Sequence, residues 1–266
     1  LFSTQESKRG KLVDLALDPD RVVRTLFFIA AVLVALSLAC EAAKAGFGIH
    51  HAYGLIHSLS LDDDGNLPAL FSSLLLLACA GLLYAISAIE AGERWRWAGL
   101  AAIFTLMGID EIAQFHEVLA GFLHKKFQAG GYLYFTWVVP GTLFVIAVAL
   151  AYSRFLLRLP SRTRIHMLIS GALYVSGALG MELIAGAHVS ATGQRDFQYA
   201  MMATLEEALE MAGLIWFLRT LMRHLGAFQL SLRFGRRAAA VRASCAAPVV
   251  ESVPLAAREL EPGPRL

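Results

Sequence analysis

Seven carboxylates fall inside stretches of this chain long and apolar enough to lie in hydrocarbon: Asp110, Glu111 and Glu117, then Glu182, then Glu206, Glu207 and Glu210. No Lys or Arg is expected at their depth. An ionised acid at a bilayer centre costs roughly 2.5 to 3.5 kcal/mol, so seven left without neutralisation would cost on the order of 20 kcal/mol. Bound protons, bound metal ions or a water-filled cavity must offset that cost.

Helical phase groups these acids. At about 100° per residue, Asp110, Glu111, Gln114 and Glu117 project at about 0°, 100°, 40° and −20°, which is one face. Glu206, Glu207 and Glu210 repeat the pattern at about 0°, 100° and 40°. The two segments would run in opposite directions, as in an inverted three-plus-three repeat, although nothing in the second span matches Glu182. Counting from the span ends puts Asp110 and Glu111 near the midplane. Glu117, Glu182 and the later acids fall between the midplane and the outer surface, so all seven converge on one layer.

Carboxylates projecting inward at one level from facing helices are the layout of di-iron and di-manganese bundles. A divalent metal ion is therefore the expected cofactor, with iron or manganese favoured and zinc, magnesium or calcium also compatible. Glu117 and Glu210, each within its acidic arc, are the expected bridging ligands, and Gln114 would orient ligands from the second shell. The Glu-x-x-His repeat of those bundles is absent. His116 projects at about 240°, away from Asp110, and can join the site only if the helix distorts. His188 is a further possible ligand at the outer edge, near Glu41 and the loop histidines His50, His51 and His57. The opposing interpretation is protonated acids acting as interhelical hydrogen-bond partners with Gln114, Tyr174 or Ser176.

The elements that must position these groups follow from composition. With 57% hydrophobic and 17% charged residues among 266, the chain reads as an integral membrane protein. Six windows reach the ~20 apolar residues of a span, at 22–44, 69–89, 97–123, 133–152, 165–187 and 199–222. The expected fold is all-α, a single six-helix transmembrane domain over 22–222. A polar segment, 1–21, precedes it and a basic, partly disordered tail, 223–266, follows. No cleavable signal is evident at the amino end. Lys and Arg gather before the first span, in the second and fourth loops and in the tail, which directs both termini to the cytoplasm. Lys125 and Lys126 in the third loop dissent. Tyr132, Tyr134 and Trp137 would form the outer aromatic belt, and Trp95 and Trp97 the inner one.

The formal charge of +2 gives no footprint for nucleic acid, and Cys40, Cys79 and Cys245 have neither disulfide nor metal-ligand spacing. Phe228, Leu230, Leu232 and Phe234, set among Arg233, Arg236 and Arg237, could rest on anionic headgroups. Asp62, Asp64 and Asn66 alternate as in calcium loops, but the terminal Glu is missing, and a cap on the second span by Asn66 with Pro68 is expected. Pro140 should kink the fourth span. Ala172, Ser176 and Gly180 predict a close-packing face on the fifth.

Three motifs carry a resemblance. Gly65-Asn66-Leu67-Pro68 with Phe71-Ser72-Ser73, Asp110-Glu111 with His116-Glu117, and Glu206-Glu207 with Glu210-Met211 and Gly213 resemble a family of uncharacterised bacterial six-span membrane proteins. The resemblance covers the spans but not the tail. It implies that these motifs belong together and that the chain sits in a bacterial inner membrane, and it implies no activity.

The expected function is therefore an outer-half carboxylate site for one or two divalent cations, acting on a lipid or lipid-soluble substrate by redox or through a metal-activated water. Two other classes stay open. One is a cation- or proton-coupled transporter; the other is an accessory subunit whose acids meet a protein partner's bases.

Overall fold

A computed structural model describes residues 18–47, 54–62, 65–226, 229–231 and 242–244. The long helices are α1 (Pro19–Phe47), α3 (Leu67–Ile89), α4 (Arg94–Ala113), α6 (Val138–Arg158), α7 (Ser161–Val175) and α9 (Phe197–Gly226). Shorter ones are α2 (Leu55–Leu59), α5 (Phe115–Phe127) and α8 (Glu182–Thr192), the last joined to α7 by a π-helical segment, Ser176–Met181. In the tail Gln229–Ser231 pairs antiparallel with Arg242–Ser244. His50, His51, Asp63, Asp64 and the basic apolar run after Gly226, apart from those paired strands, lie outside the described residues.

Four helical stretches are long and apolar enough to cross a membrane: α1, α3, α6 and Ser161–Thr192. Ala91–Ala113 with Phe115–Phe127 makes a fifth if the bent pair counts as one span. The expected third span, 97–123, is thus not one straight helix, because α4 and α5 meet at 72°. The 20 residues of α4 already cover about 30 Å, the hydrocarbon thickness, so α5 turns aside at one end of the bundle. The break falls at Gln114, whose φ of 56° and ψ of 34° are left-handed. Such a backbone ends a helix, and its amide closes on Asp110 O.

α9 is the centre of the bundle and packs against α1, α3, α7 and α8. Met211, Ile215 and Leu221 are fully buried along it, which explains how a helix carrying three acids holds its place. A core of Leu83, Ile86, Trp97, Phe155, Phe217 and Leu221 closes one end, where Phe104 stacks on Phe217 at 4.8 Å. α3 lies along α4, and the Ser73 hydroxyl donates to Gly108 O at 2.7 Å. That bond gives the second serine of the Phe71-Ser72-Ser73 motif a structural role, in the turn before the acids. Asn66 caps α3 as expected, accepting from the Ala69 amide at 3.1 Å, and its side-chain amide donates to Ser60 O at 2.6 Å.

Pro140 does not kink α6. It sits in the first turn, where the missing N–H has no intrahelical acceptor to lose. Nor do Ala172, Ser176 and Gly180 form the close-packing face. Ala172 and Ser176 are exposed, and the approach of α7 to α9 runs through Gly177 and Gly213 instead. A Cβ on Gly177 would lie 2.7 Å from Glu206 O, and one on Gly213 would lie 2.8 Å from Tyr174 N.

The opposite end of the bundle from α5 is rich in bases. Asp20 accepts from Arg219 and Arg223, and those two guanidinium hydrogen bonds hold its carboxyl below the ordinary aspartate range. Glu93 meets Arg96 and Arg158, tying α4 to the end of α6.

Candidate functional site

All seven expected carboxylates line one cavity of about 1260 Å³. α4 supplies Asp110 and Glu111, α5 Glu117, α8 Glu182, and α9 Glu206, Glu207 and Glu210. The acids occupy the carboxyl end of α4, the amino half of α9 and the start of α8, so the cavity has an acidic arm at the α5 end. Its other arm runs down past Leu100, Phe104, Val148, Leu156 and Met167 and is apolar.

Glu210 is the most enclosed of the seven, with 9% of its surface exposed. The Tyr174 hydroxyl lies beside its carboxylate, and Glu111, Glu206 and Glu207 are near enough to act on it electrostatically. Two sequence features hold it there. The missing Cβ at Gly177 leaves room for the Glu210 side chain, 2.9 Å from where that atom would lie, and the missing Cβ at Gly213 lets the backbone of Tyr174 approach α9. The π-helical segment then shifts the phase of the chain by a residue immediately before Glu182.

The helix break rewrites the role of Asp110 and His116. His116 Nδ1 lies 2.8 Å from Asp110 Oδ2, and the His116 amide donates to Asp110 Oδ1 at 3.1 Å. Both oxygens of Asp110 therefore face His116, and the carboxylate caps the first turn of α5. The straight-helix phase that sent His116 away from Asp110 does not apply, because Gln114 turns the chain between them. Gln114 itself does not line the cavity; its side-chain nitrogen lies on the side of Gly65, 3.9 Å from the position a Cβ there would take. Glu117 is exposed on α5 at the cavity wall, in the same lining as Glu210.

Trp137, expected in the outer aromatic belt, also lines this cavity. Its Nε1 donates to Glu182 Oε1 at 2.8 Å, and its ring lies 5.5 Å from that of His116. His188 does not line the cavity; its Nε2 is 2.8 Å from Asp196 Oδ1. The Tyr199 amide and then His188 hold Asp196 below the ordinary aspartate range, and Asp196 thereby caps α9.

A base does reach the cavity. Arg195, in the loop before α9, lines its rim with its guanidinium 5.1 Å from the Tyr199 ring and 5.6 Å from that of Phe135. The sequence places no Lys or Arg at the depth of the acids, and a residue in the loop before a span gives no signal that it returns to the cavity. Asp62, Tyr174 and Tyr199 also line the cavity. Tyr174 had entered the sequence reading only as a partner for protonated acids.

Among the described residues no three His, Cys, Asp or Glu side chains are grouped as a ready metal-ligand set. The expected di-metal centre is therefore not assembled by these side chains as they stand. Asp110 is engaged by His116 and Glu182 by Trp137.

Comparison with protein families gives a match over residues 25–225 to the model described as Domain of unknown function (DUF8692). The chain belongs to this family. The matched region runs from α1 to the last turn of α9, so the family unit is the bundle with its cavity and excludes the tail. No curated protein and no solved structure matches the chain.

Proposed function

We propose that this DUF8692 protein is a six-span protein of a bacterial inner membrane whose carboxylate chamber holds positive charge against a lipid or lipid-soluble substrate. The observation that carries the proposal is the make-up of the large cavity: the seven acids together with Asp62, Arg195 as the one Lys or Arg lining it among the described residues, and an apolar arm behind them. A chamber of that size exceeds the roughly 300 to 1,000 Å³ of a drug-sized site and joins a charged compartment to a hydrocarbon one. α9, buried at the centre, is the sixth span in this reading. The base-rich end is cytoplasmic by the positive-inside rule, and the acids face the periplasmic side.

One or two divalent cations are the proposed source of charge. Glu111, Glu206, Glu207 and Glu210 offer hard oxygen atoms without histidine, so a cation here keeps part of its water. That favours manganese or magnesium over a closed zinc or di-iron shell. A cation-coupled transporter would need a polar route at the other end. The apolar lining by Leu100, Val148, Leu156 and Met167 supports chemistry or capture at a lipid-soluble molecule instead. Elemental analysis of protein purified in mild detergent tests the proposal. Stoichiometric divalent metal in the wild type, lost in Glu210→Ala and retained in Glu93→Ala, is expected; equal metal in all three contradicts it.

A further inference from the structure

α6 stands away from the bundle. Of its 21 residues only Val138, near one end, and Phe155, near the other, are buried. The first anchor is built on the π-helical segment, where Gly141 meets Leu179 and the Trp137 ring. The second is an edge-on contact of Phe155 with Trp97 at 4.9 Å, beside Tyr152, whose hydroxyl lies against Gly99. Between these anchors α6 does not close on the helices it faces. Val145, Val148 and Ala149 of α6 line the apolar arm opposite Ile103 and Phe104 of α4 and Gly171 and Val175 of α7.

The seams beside α6 open outward. Leu106 on the α4 side, Phe144 on α6 and Leu168 on the α7 side all line the cavity and are exposed, at 67%, 48% and 53%. In a helix bundle of this apolarity, what adjoins those seams is the hydrocarbon of the bilayer, not water. A slot so largely apolar offers water few bonding partners and would be filled by what surrounds it.

We propose that the apolar arm is a lateral port for a hydrocarbon chain of a membrane lipid. The chain enters between α6 and its neighbours, lies along Val145, Val148 and Ala149, and stops at Tyr152 and Leu156, which rest on the buried Phe155–Trp97 contact. This deepens the proposed function and rests on it for the polar end: a chain seated with its tip there places its head at the carboxylates. The access route is from the membrane plane, which explains why α6 is pinned only at its ends.

Photolabelling tests the port. The full chain is reconstituted into phosphatidylethanolamine and phosphatidylglycerol vesicles containing a trace of phospholipid with a diazirine on its acyl chain, and labelled peptides are mapped. The expected result is labelling of the arm, at 145–149 and 171–175, above that of the lipid-facing residues Phe28 and Leu74. Gly171→Trp, placed where a Cβ meets nothing within 4 Å, should abolish arm labelling and leave Phe28 labelling unchanged. Ala149→Phe is the second blocking variant should Gly171→Trp not be monodisperse, and Gly81→Trp, also in open space, is the control that should change nothing in the arm. Arm labelling no greater than that of Phe28, or insensitive to both blocking variants, overturns the port. Replacing Glu206, Glu207 and Glu210 by Gln separates the two proposals. Arm labelling that persists there supports the port even if no cation binds, and a cation that binds without arm labelling overturns the port alone.

Discussion

Gly213→Ala should loosen the seam that sets Glu210 in place. The added Cβ would lie 2.8 Å from Tyr174 N, 2.9 Å from Ser170 O and 3.1 Å from Tyr174 Cα. Carbon contacts are comfortable at about 3.5 to 4.0 Å, so α7 and α9 must separate by most of an ångström. All three atoms are backbone, and no rotamer change relieves them. Overpacking of this kind costs about 2 to 3 kcal/mol, from which the better helix propensity of Ala returns about 1 kcal/mol. The net loss is about 1 to 2 kcal/mol, or a fall of about 2 to 8 °C in Tm for a chain of this size. Gly171→Ala is the control on α7, across the seam, where a Cβ meets nothing within 4 Å, and it should raise Tm by about 2 to 4 °C. Thermal unfolding followed by tryptophan fluorescence in one detergent gives both values. Equal shifts for the two variants would refute the claim that α7 and α9 meet backbone to backbone at Gly213.

Asn66→Ala removes the cap of α3 and the bonds to Ser60 O and His57 O, and should cost about 1 to 2 kcal/mol by the same melting assay, while Asn66→Asp, which keeps the capping oxygen, should cost less. Trp137→Phe keeps the ring beside His116 but withdraws the donor from Glu182, so carboxylate infrared bands should shift, whereas Trp95→Phe should leave them unchanged. Glu90 gives a pH dependence. Burial raises its pKa, but the hydrogen bonds from His224 at 2.8 Å and Trp97 at 2.7 Å outweigh that and hold it below the ordinary glutamate value of 4.5. A depressed carboxylate stabilises the fold above its unfolded pKa and stops doing so as pH falls through the folded one. The Tm advantage of wild type over Glu90→Gln, measured at neutral pH, should therefore shrink below pH 4.5; an advantage constant with pH would place the effect in packing.

The inventory of acids was legible in the sequence because it follows from counting. Seven acids in apolar windows, converging on one layer by helical phase, do line one cavity. The Asn66 cap was legible because side-chain chemistry and position suffice to specify it. What failed was anything resting on an unbroken helix. Gln114 adopts a left-handed backbone with neither Gly nor Pro to announce it, and that single turn converts His116 from a remote side chain into the partner of Asp110. The π-helical insertion before Glu182 has no composition signal either. Trp137 at a helix start reads as an interfacial aromatic until the tertiary fold points its N–H at Glu182. Arg195 returns to the cavity from a loop, a tertiary event that span counting does not register.

Titration of the purified protein with Mn²⁺, followed by the loss of the free-ion electron paramagnetic resonance signal, tests most directly whether the carboxylate chamber holds positive charge. Saturable binding at one or two sites per chain is predicted, abolished when Glu206, Glu207 and Glu210 are replaced by Gln and unaffected by Glu93→Gln at the other end of the bundle. Saturable binding that survives the triple replacement, or no saturable binding by the wild type, would contradict the account.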